Sequence, residues 1–326
     1  MPQKTFDVIA LGELLIDFTE NGVSSQGNPL FEANPGGAPC NVLAMLKKLG
    51  RRTAFIGKVG DDAFGRQLEN ALIETGIDTR ALRHDPDVHT TLALVHTLKG
   101  GDRDFSFYRN PGADMMLTED EVDEDLIKDS RVFHYGTLSM THEGVRNATR
   151  KAIALAEKYG CLRSFDPNLR PPLWKDLEDA KRETAYGLEH CDILKISDNE
   201  VLWFTGLDDY DEAVQAIRDR YPVKLLTLSL GKEGSRVYYK DLRVDVPAFL
   251  QEETIETTGA GDTFGACVLH GVLEYGLDDL DEEMLRKILL FANAAASIIT
   301  TRKGALRVMP EKEEVLAFLE RRGYAS

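Results

Sequence analysis

Short apolar runs of strand length alternate with longer amphipathic stretches from residue 6 to residue 230, and this rhythm restricts the fold more than any other feature of the chain. Residues 6–11, 53–59, 131–135, 162–166, 193–197 and 224–230 read as strands. Helix spacing appears at 41–49, ended by Gly50, at 145–159, ended by Gly160, and at 211–220. Continuous apolar strands must be covered on both faces, so the expected class is α/β, with a largely parallel sheet flanked by helices. A chain of 326 residues can bury one substantial core, or a core plus a small lid. No repeat or low-complexity linker divides it, so one domain over 1–326 is expected. The rhythm breaks twice: residues 14–19, and the pair 90–98 and 104–109 joined by Lys99-Gly100-Gly101-Asp102, read as strands of a small separate sheet. On 104–109 the residues Phe105, Phe107 and Arg109 alternate onto one face.

Two glycine-rich segments carry the chemistry. In Thr257-Thr258-Gly259-Ala260-Gly261-Asp262-Thr263-Phe264-Gly265, small and hydroxyl residues precede an apolar helical run. Free backbone amides at such a helix start favour an anion. A carboxylate beside that anion suggests a reaction as well as binding: where an alcohol attacks a phosphoryl group, Asp262 can take the alcohol proton while the Gly259, Ala260 and Gly261 amides hold the developing charge. Read alone, the segment is a glycine turn whose acid answers the helix dipole. Two rival motifs fail on spacing, since Gly60 to Gly65 continues Arg66-Gln67 instead of Lys-Ser/Thr, and Gly259, Gly261 and Gly265 are one residue too far apart for a dinucleotide fingerprint. Far upstream, Pro35-Gly36-Gly37-Ala38-Pro39-Cys40-Asn41 lets backbone approach a ligand closely, while Asn41 offers a donor and an acceptor to adjacent hydroxyls.

Together these segments resemble the two signatures of the PfkB carbohydrate kinases, the ribokinase-like sugar kinases. Phe165-Asp166-Pro167-Asn168-Leu169-Arg170 and Phe107-Tyr108-Arg109-Asn110-Pro111-Gly112-Ala113-Asp114 are similar to segments of the fructokinase branch. The resemblance runs over nearly the whole chain. It implies a ribokinase-like three-layer fold and a β-sheet lid, formed by about 14–35 and 88–111, that often makes a homodimer contact. It also implies ATP-dependent phosphorylation of a ketohexose, fructose first, with 2-keto-3-deoxygluconate or ribose as alternatives. A sugar or nucleotide sensor without activity is the reading from another class, and the intact Asp262 weighs against it. The implied sugar contacts are Asp17, Gly36, Gly37, Asn41, Phe107, Arg109, Asn168 and Arg170. Lys195, Ser229, Gly231, Gly234 and Asn293 resemble nucleotide-side positions; Glu200 would arrange Mg2+ through water, and Glu256 and Thr258 are candidates for a monovalent cation, K+. Three positions depart from the family pattern: Glu256 stands where Asp is usual, Ser197 where Asn is common, and Leu43 where a small residue is expected.

A formal charge of −16 argues against nucleic acid or an anionic membrane as the partner, leaving small molecules, the sugar and ATP. The acidic stretches 118–125 and 278–283 precede helical patterns and read as solvated first turns. Four cysteines without Cys-x-x-Cys spacing, and no signal-peptide pattern, point to a reducing cytoplasm. The seven histidines lack the pairing that a metal site or catalytic triad needs.

Overall fold

A computed structural model describes residues 4–97 and 103–324. Its strands, in chain order, are β1 (Phe6–Leu11), β2 (Leu15–Val23), β3 (Pro29–Gly36), β4 (Thr53–Gly60), β5 (Asp78–Asp85), β6 (Leu92–Thr97), β7 (Arg103–Tyr108), β8 (Ser130–Gly136), β9 (Leu162–Asp166), β10 (Ile193–Ser197), β11 (Leu225–Ser229), β12 (Ser235–Tyr239) and β13 (Leu242–Val246). The main sheet has the order β13-β12-β11-β10-β9-β8-β1-β4-β5. Pairing is parallel from β11 across to β5 and antiparallel along the β11-β12-β13 edge.

β1 shows why its sequence lacks polar alternation. Val8 and Ala10 pack with the helices Ala38–Lys48, Ala260–Tyr275 and Glu282–Ile299. Ile9 and Leu11 point the other way, into a core shared with Glu143–Lys158, Leu177–Glu189, Asp198–Thr205 and Tyr210–Arg220. Both faces of the strand are therefore dry, and the sheet lies between two helical layers.

A second sheet has the order β3-β2-β6-β7. β2–β3 and β6–β7 are antiparallel, whereas β2–β6 is parallel. The Lys99-Gly100-Gly101-Asp102 connection lies outside the described residues, as does the side chain of Phe105. Among the described residues no helix is long and apolar enough to cross a membrane. All four cysteines are free thiols and buried. The acidic stretches sit at helix starts, where Asp123 accepts from the Leu126 amide and Asp281 from the Met284 amide.

Candidate active site

The C-terminal ends of the parallel strands and the small sheet enclose a cleft of about 680 Å³. Open α/β sheets bind ligands at this end. Asp17, Gly37, Asn41, Phe107, Asn168 and Arg170 line one part of it. Lys195, Glu256, Thr258, Gly259, Gly261 and Asp262 line the other. Two glycine motifs more than two hundred positions apart in sequence thus face one space.

Local geometry explains the glycines. Gly259 caps the Ala260–Tyr275 helix at φ 75°, and a Cβ there would stand 2.8 Å from the Ala305 Cβ. Only glycine takes this left-handed turn without strain in so little room. Gly37 has φ 123°, and its Cβ would lie 2.4 Å from the Glu13 carbonyl oxygen; next to it, a Cβ on Gly36 would overlap the Asp17 carboxylate at 2.1 Å. Gly36 itself does not line the cleft, a correction to its sugar-contact reading; its missing side chain makes room for the Asp17 carboxylate, and Asp17 does line it. The Ala260 amide is engaged by the Thr257 carbonyl at 3.2 Å and does not line the cleft, a correction to the three-amide reading. Gly261, at the second helical position, keeps an amide with no intrahelical acceptor.

Asp262 lies in the first turn of this helix and is buried. Burial raises its carboxyl above the usual range, against the opposing pull of the Asn41 hydrogen bond and the Lys195 and Arg170 charges. Asn41 Nδ2 donates to Asp262 Oδ2 at 2.8 Å, whereas Asn41 Oδ1 is buried with no hydrogen-bond partner. Leaving such an acceptor unpaired costs about 1–3 kcal/mol, and a ligand hydroxyl in the cleft would satisfy it. Asn168 completes this part with a φ of 43°, a left-handed turn that asparagine tolerates.

Beneath the helix start, Lys195 Nζ pairs with Asp166 Oδ2 at 2.9 Å. A Cβ on Gly261 would be 3.2 Å from that ammonium. Burial opposes the lysine charge, but the carboxylates of Asp166, Glu200 and Asp262 outweigh it and hold the group protonated. Asp166 is pushed up to about 6, first by burial and then by Glu200 and Asp262, with Lys195 working against them. Glu200 does not line the cleft. Its Oε1 accepts from the Leu169 amide at 2.7 Å, and its Oε2 accepts from the Ser197 amide and hydroxyl at 2.9 and 2.8 Å. A magnesium ion in the cleft would meet it only through water, which suits an ion that keeps several waters. Among the described residues no three His, Cys, Asp or Glu cluster as a ready metal centre.

Glu256 spends Oε1 on the Gly304 amide at 2.8 Å, and its own amide bonds the Thr300 carbonyl at 3.1 Å. With Thr258 it sets oxygen donors on the cleft wall, a chemistry that fits a hard monovalent cation. Ser229 ends β11 opposite Ser197, and Gly231 and Gly234 form the turn that follows, farther along the same rim and outside the cleft lining. Asn293 departs from its nucleotide reading: Oδ1 accepts from Ser235 Oγ at 2.9 Å, and Nδ2 donates to the Val246 and Pro247 carbonyls at 3.1 Å each. Its amide ties the Glu282–Ile299 helix to the β12–β13 edge.

Arg109 also departs from its sugar-contact reading. The side chain is 2% exposed and does not line the cleft. Nε donates to Asp114 Oδ2 at 2.8 Å, Nη1 to Thr141 Oγ1 at 2.8 Å and Nη2 to the Leu138 carbonyl at 3.0 Å. Thr91 Oγ1 donates to the other Asp114 oxygen at 2.5 Å. The pair therefore clamps both ends of the β6–β7 hairpin to the main body. Arg109→Met should lower the unfolding free energy by about 3–5 kcal/mol, because it strands a buried Asp114 charge. Urea melts check this, and an unchanged midpoint would remove the clamp role.

Sequence reading missed Glu13 and Leu138 on the cleft wall, and the Asp166 carboxylate as partner of Lys195. Asp166 carried a signal, since it ends a predicted strand beside Asn168. Glu13, next to Gly12 at the end of β1, had the same positional cue.

Residues 5–312 match the model of the pfkB family carbohydrate kinases. The chain is 42% identical to the probable fructokinase-2 of Arabidopsis thaliana over 315 residues, covering 96% of this chain and 95% of the relative. Among solved structures, fructokinase with bound ATP from Xylella fastidiosa superposes with a TM-score of 0.88 at 28% identity, covering 97% of this chain and 99% of the other. Fructokinase from Vibrio cholerae O395 in its fructose, ADP and calcium ion bound form gives 0.87 at 28% identity, covering 96% and 99%. With both glycine motifs converging on one cleft and a family match over nearly its full length, the chain belongs to the pfkB family of carbohydrate kinases.

Proposed function

We propose that this protein transfers the γ-phosphoryl group of ATP to the primary alcohol of fructose, giving fructose 6-phosphate and ADP. The observation that carries this reading is the Asn41–Asp262 contact, which joins a hydroxyl-binding amide to a buried base at the start of a helix. Asp17, Gly37, Asn41, Phe107, Asn168 and Arg170 hold the sugar, and the alcohol oxygen attacks phosphorus as its proton passes to Asp262 Oδ. The phosphorus–oxygen bond to ADP breaks, and the Gly261 amide and the Lys195 ammonium stand beside the charge on the transferring group. Mg2+, when bound, would neutralise phosphate charge, Glu200 would act on it through water, and Glu256 and Thr258 would hold a monovalent cation such as K+.

The named relatives are fructokinases, and the solved neighbours include ATP-bound and fructose- and ADP-bound forms. The pairing of Arg109 with Asp114 takes one of the two candidate cations for an acid sugar out of the cleft, which favours a neutral sugar over 2-keto-3-deoxygluconate and leaves Arg170 as the other. The small sheet serves as the lid of a single-domain enzyme. Its exposed Val23, Leu30 and Tyr108 offer apolar surface to a second copy of the chain, which the sedimentation mass checks. Buried free thiols suit a reducing compartment, the cytoplasm.

ADP release is measured with ATP and Mg2+ across fructose, 2-keto-3-deoxygluconate, ribose, glucose and adenosine. Fructose should give the highest kcat/KM. A preference for the acid sugar would move the substrate, and no sugar-dependent turnover would favour the sensor.

A further inference from the structure

The Ala38–Lys48 helix carries Asn41 in its first turn, yet it begins without a cap of its own. Its N-cap residue is Gly37, which has no side chain, and Pro39 within the first turn has no amide. The acceptor comes from 25 positions upstream: the Ala38 amide donates to Glu13 Oε1 at 2.8 Å. A carboxylate at a helix start satisfies a free amide and opposes the positive end of the helix dipole, and replacing a cap weakens the first turn.

Glu13 also presses on this strap with its backbone, since its carbonyl oxygen is what a Cβ at Gly37 would strike. From Gly37 the connection to the chemistry is short. The Gly37 carbonyl accepts from the Asn41 amide at 3.0 Å, and Asn41 Nδ2 reaches Asp262 at 2.8 Å. Glu13 is buried among Asp114 and Arg109 at the root of the small sheet and Cys40 of the same helix. Burial raises its carboxyl to about 7, the hydrogen bonds from its own amide and that of Ala38 and the charge of Arg109 opposing, and that of Asp114 adding.

We propose that Glu13 is a positioning residue of the sugar site: its carboxyl fixes the Gly36–Gly37 strap and thereby the Asn41 amide that faces both sugar and base. The proposal rests on the sugar-kinase reading of the cleft. Replacing Glu13 should act on the sugar and not on the nucleotide, and a side chain that keeps the acceptor oxygen should restore function.

Steady-state kinetics, calorimetric fructose binding and thermal melts are compared for the wild type, Glu13→Leu and Glu13→Gln. Glu13→Leu should raise the fructose KM and Kd about tenfold, with the ATP KM within about twofold of wild type. Glu13→Gln should lie within about threefold of wild type on every constant, because its amide oxygen still accepts from Ala38. If the Leu variant does not fold, Glu13→Asp, one methylene too short for the contact, should show the same selective rise in the fructose constants. Equal losses in the Gln and Leu variants, a matching rise in the ATP KM, or a fructose KM unmoved by loss of the acceptor would each overturn the proposal. A wild-type protein that neither binds nor phosphorylates sugar would overturn the cleft reading, and this proposal with it.

Discussion

Asp262→Asn should lower kcat by about two to four orders of magnitude, the contribution of a general base, with both substrate KM values close to wild type. The asparagine keeps an oxygen for the Asn41 amide, so the change removes proton acceptance while leaving the contact at 2.8 Å available. The pH profile gives an independent check. A base must be deprotonated to act, and burial raises the Asp262 carboxyl, so wild-type turnover should climb with pH along an acid limb displaced upward from that of an ordinary aspartate. The Asn variant should lose that limb. Stability should move in the opposite direction to activity. A carboxyl whose folded pKa is raised favours the fold below its unfolded pKa and loses that contribution as pH rises through the folded value. Wherever Asp262 is ionised it is therefore a burden on the fold, and above its folded pKa the Asn variant should melt at or above the wild type. Retention of more than about a tenth of wild-type turnover would exclude Asp262 as the base.

Gly259→Ala is the second large effect, because one methyl group disturbs the helix start where charge develops. The residue must hold φ 75° with a Cβ 2.8 Å from that of Ala305. Relief of the clash should shift the helix start and with it the Gly261 amide that faces the cleft. Loss of one such donor costs about two to three orders of magnitude in kcat. The strained backbone should also cost about 1–3 kcal/mol of stability, read from denaturant melts. A stable variant with normal turnover would show that the amides at this turn do not hold the transferring group. Loss of stability with full turnover below the melt would leave Gly259 a purely structural glycine.

The parallel strands were legible because two-sided burial leaves no polar alternation to confuse the pattern: 6–11, 162–166 and 193–197 stand where the sequence placed them. The first helix starts at Ala38 instead of residue 41, since a proline such as Pro39 is tolerated in a first turn, where its missing amide costs no intrahelical bond. The β12–β13 hairpin was not foreseen. Its neighbours Gly231 and Gly234 were read as ligand positions, although a Cβ on Gly234 would lie 2.2 Å from the Val246 carbonyl oxygen, a steric demand of the hairpin itself.

For the site, sequence order identified the residues of the two glycine motifs that meet at Asn41 and Asp262. It could not identify how charges are consumed. Arg109 and Asp114 are five positions apart, and nothing in that spacing states that the guanidinium turns away from the cleft to clamp a hairpin. Glu13 is the converse case, a lone acid among leucines whose use depends on a helix that begins 25 positions later.

Asn41 and Asp262 lie 221 positions apart, and at about 5–20 residues per second a ribosome needs roughly ten to fifty seconds to pass from one to the other. On the proposed reading, the nascent chain has its whole sugar wall by residue 170 but no base until residue 262, so a half-made enzyme would not squander nucleotide. A protease that removed the last quarter of the finished chain would likewise leave an inert fragment in place of an ATP-wasting one. If Asp262 is the base, turnover certifies that synthesis has passed the start of the helix that carries it.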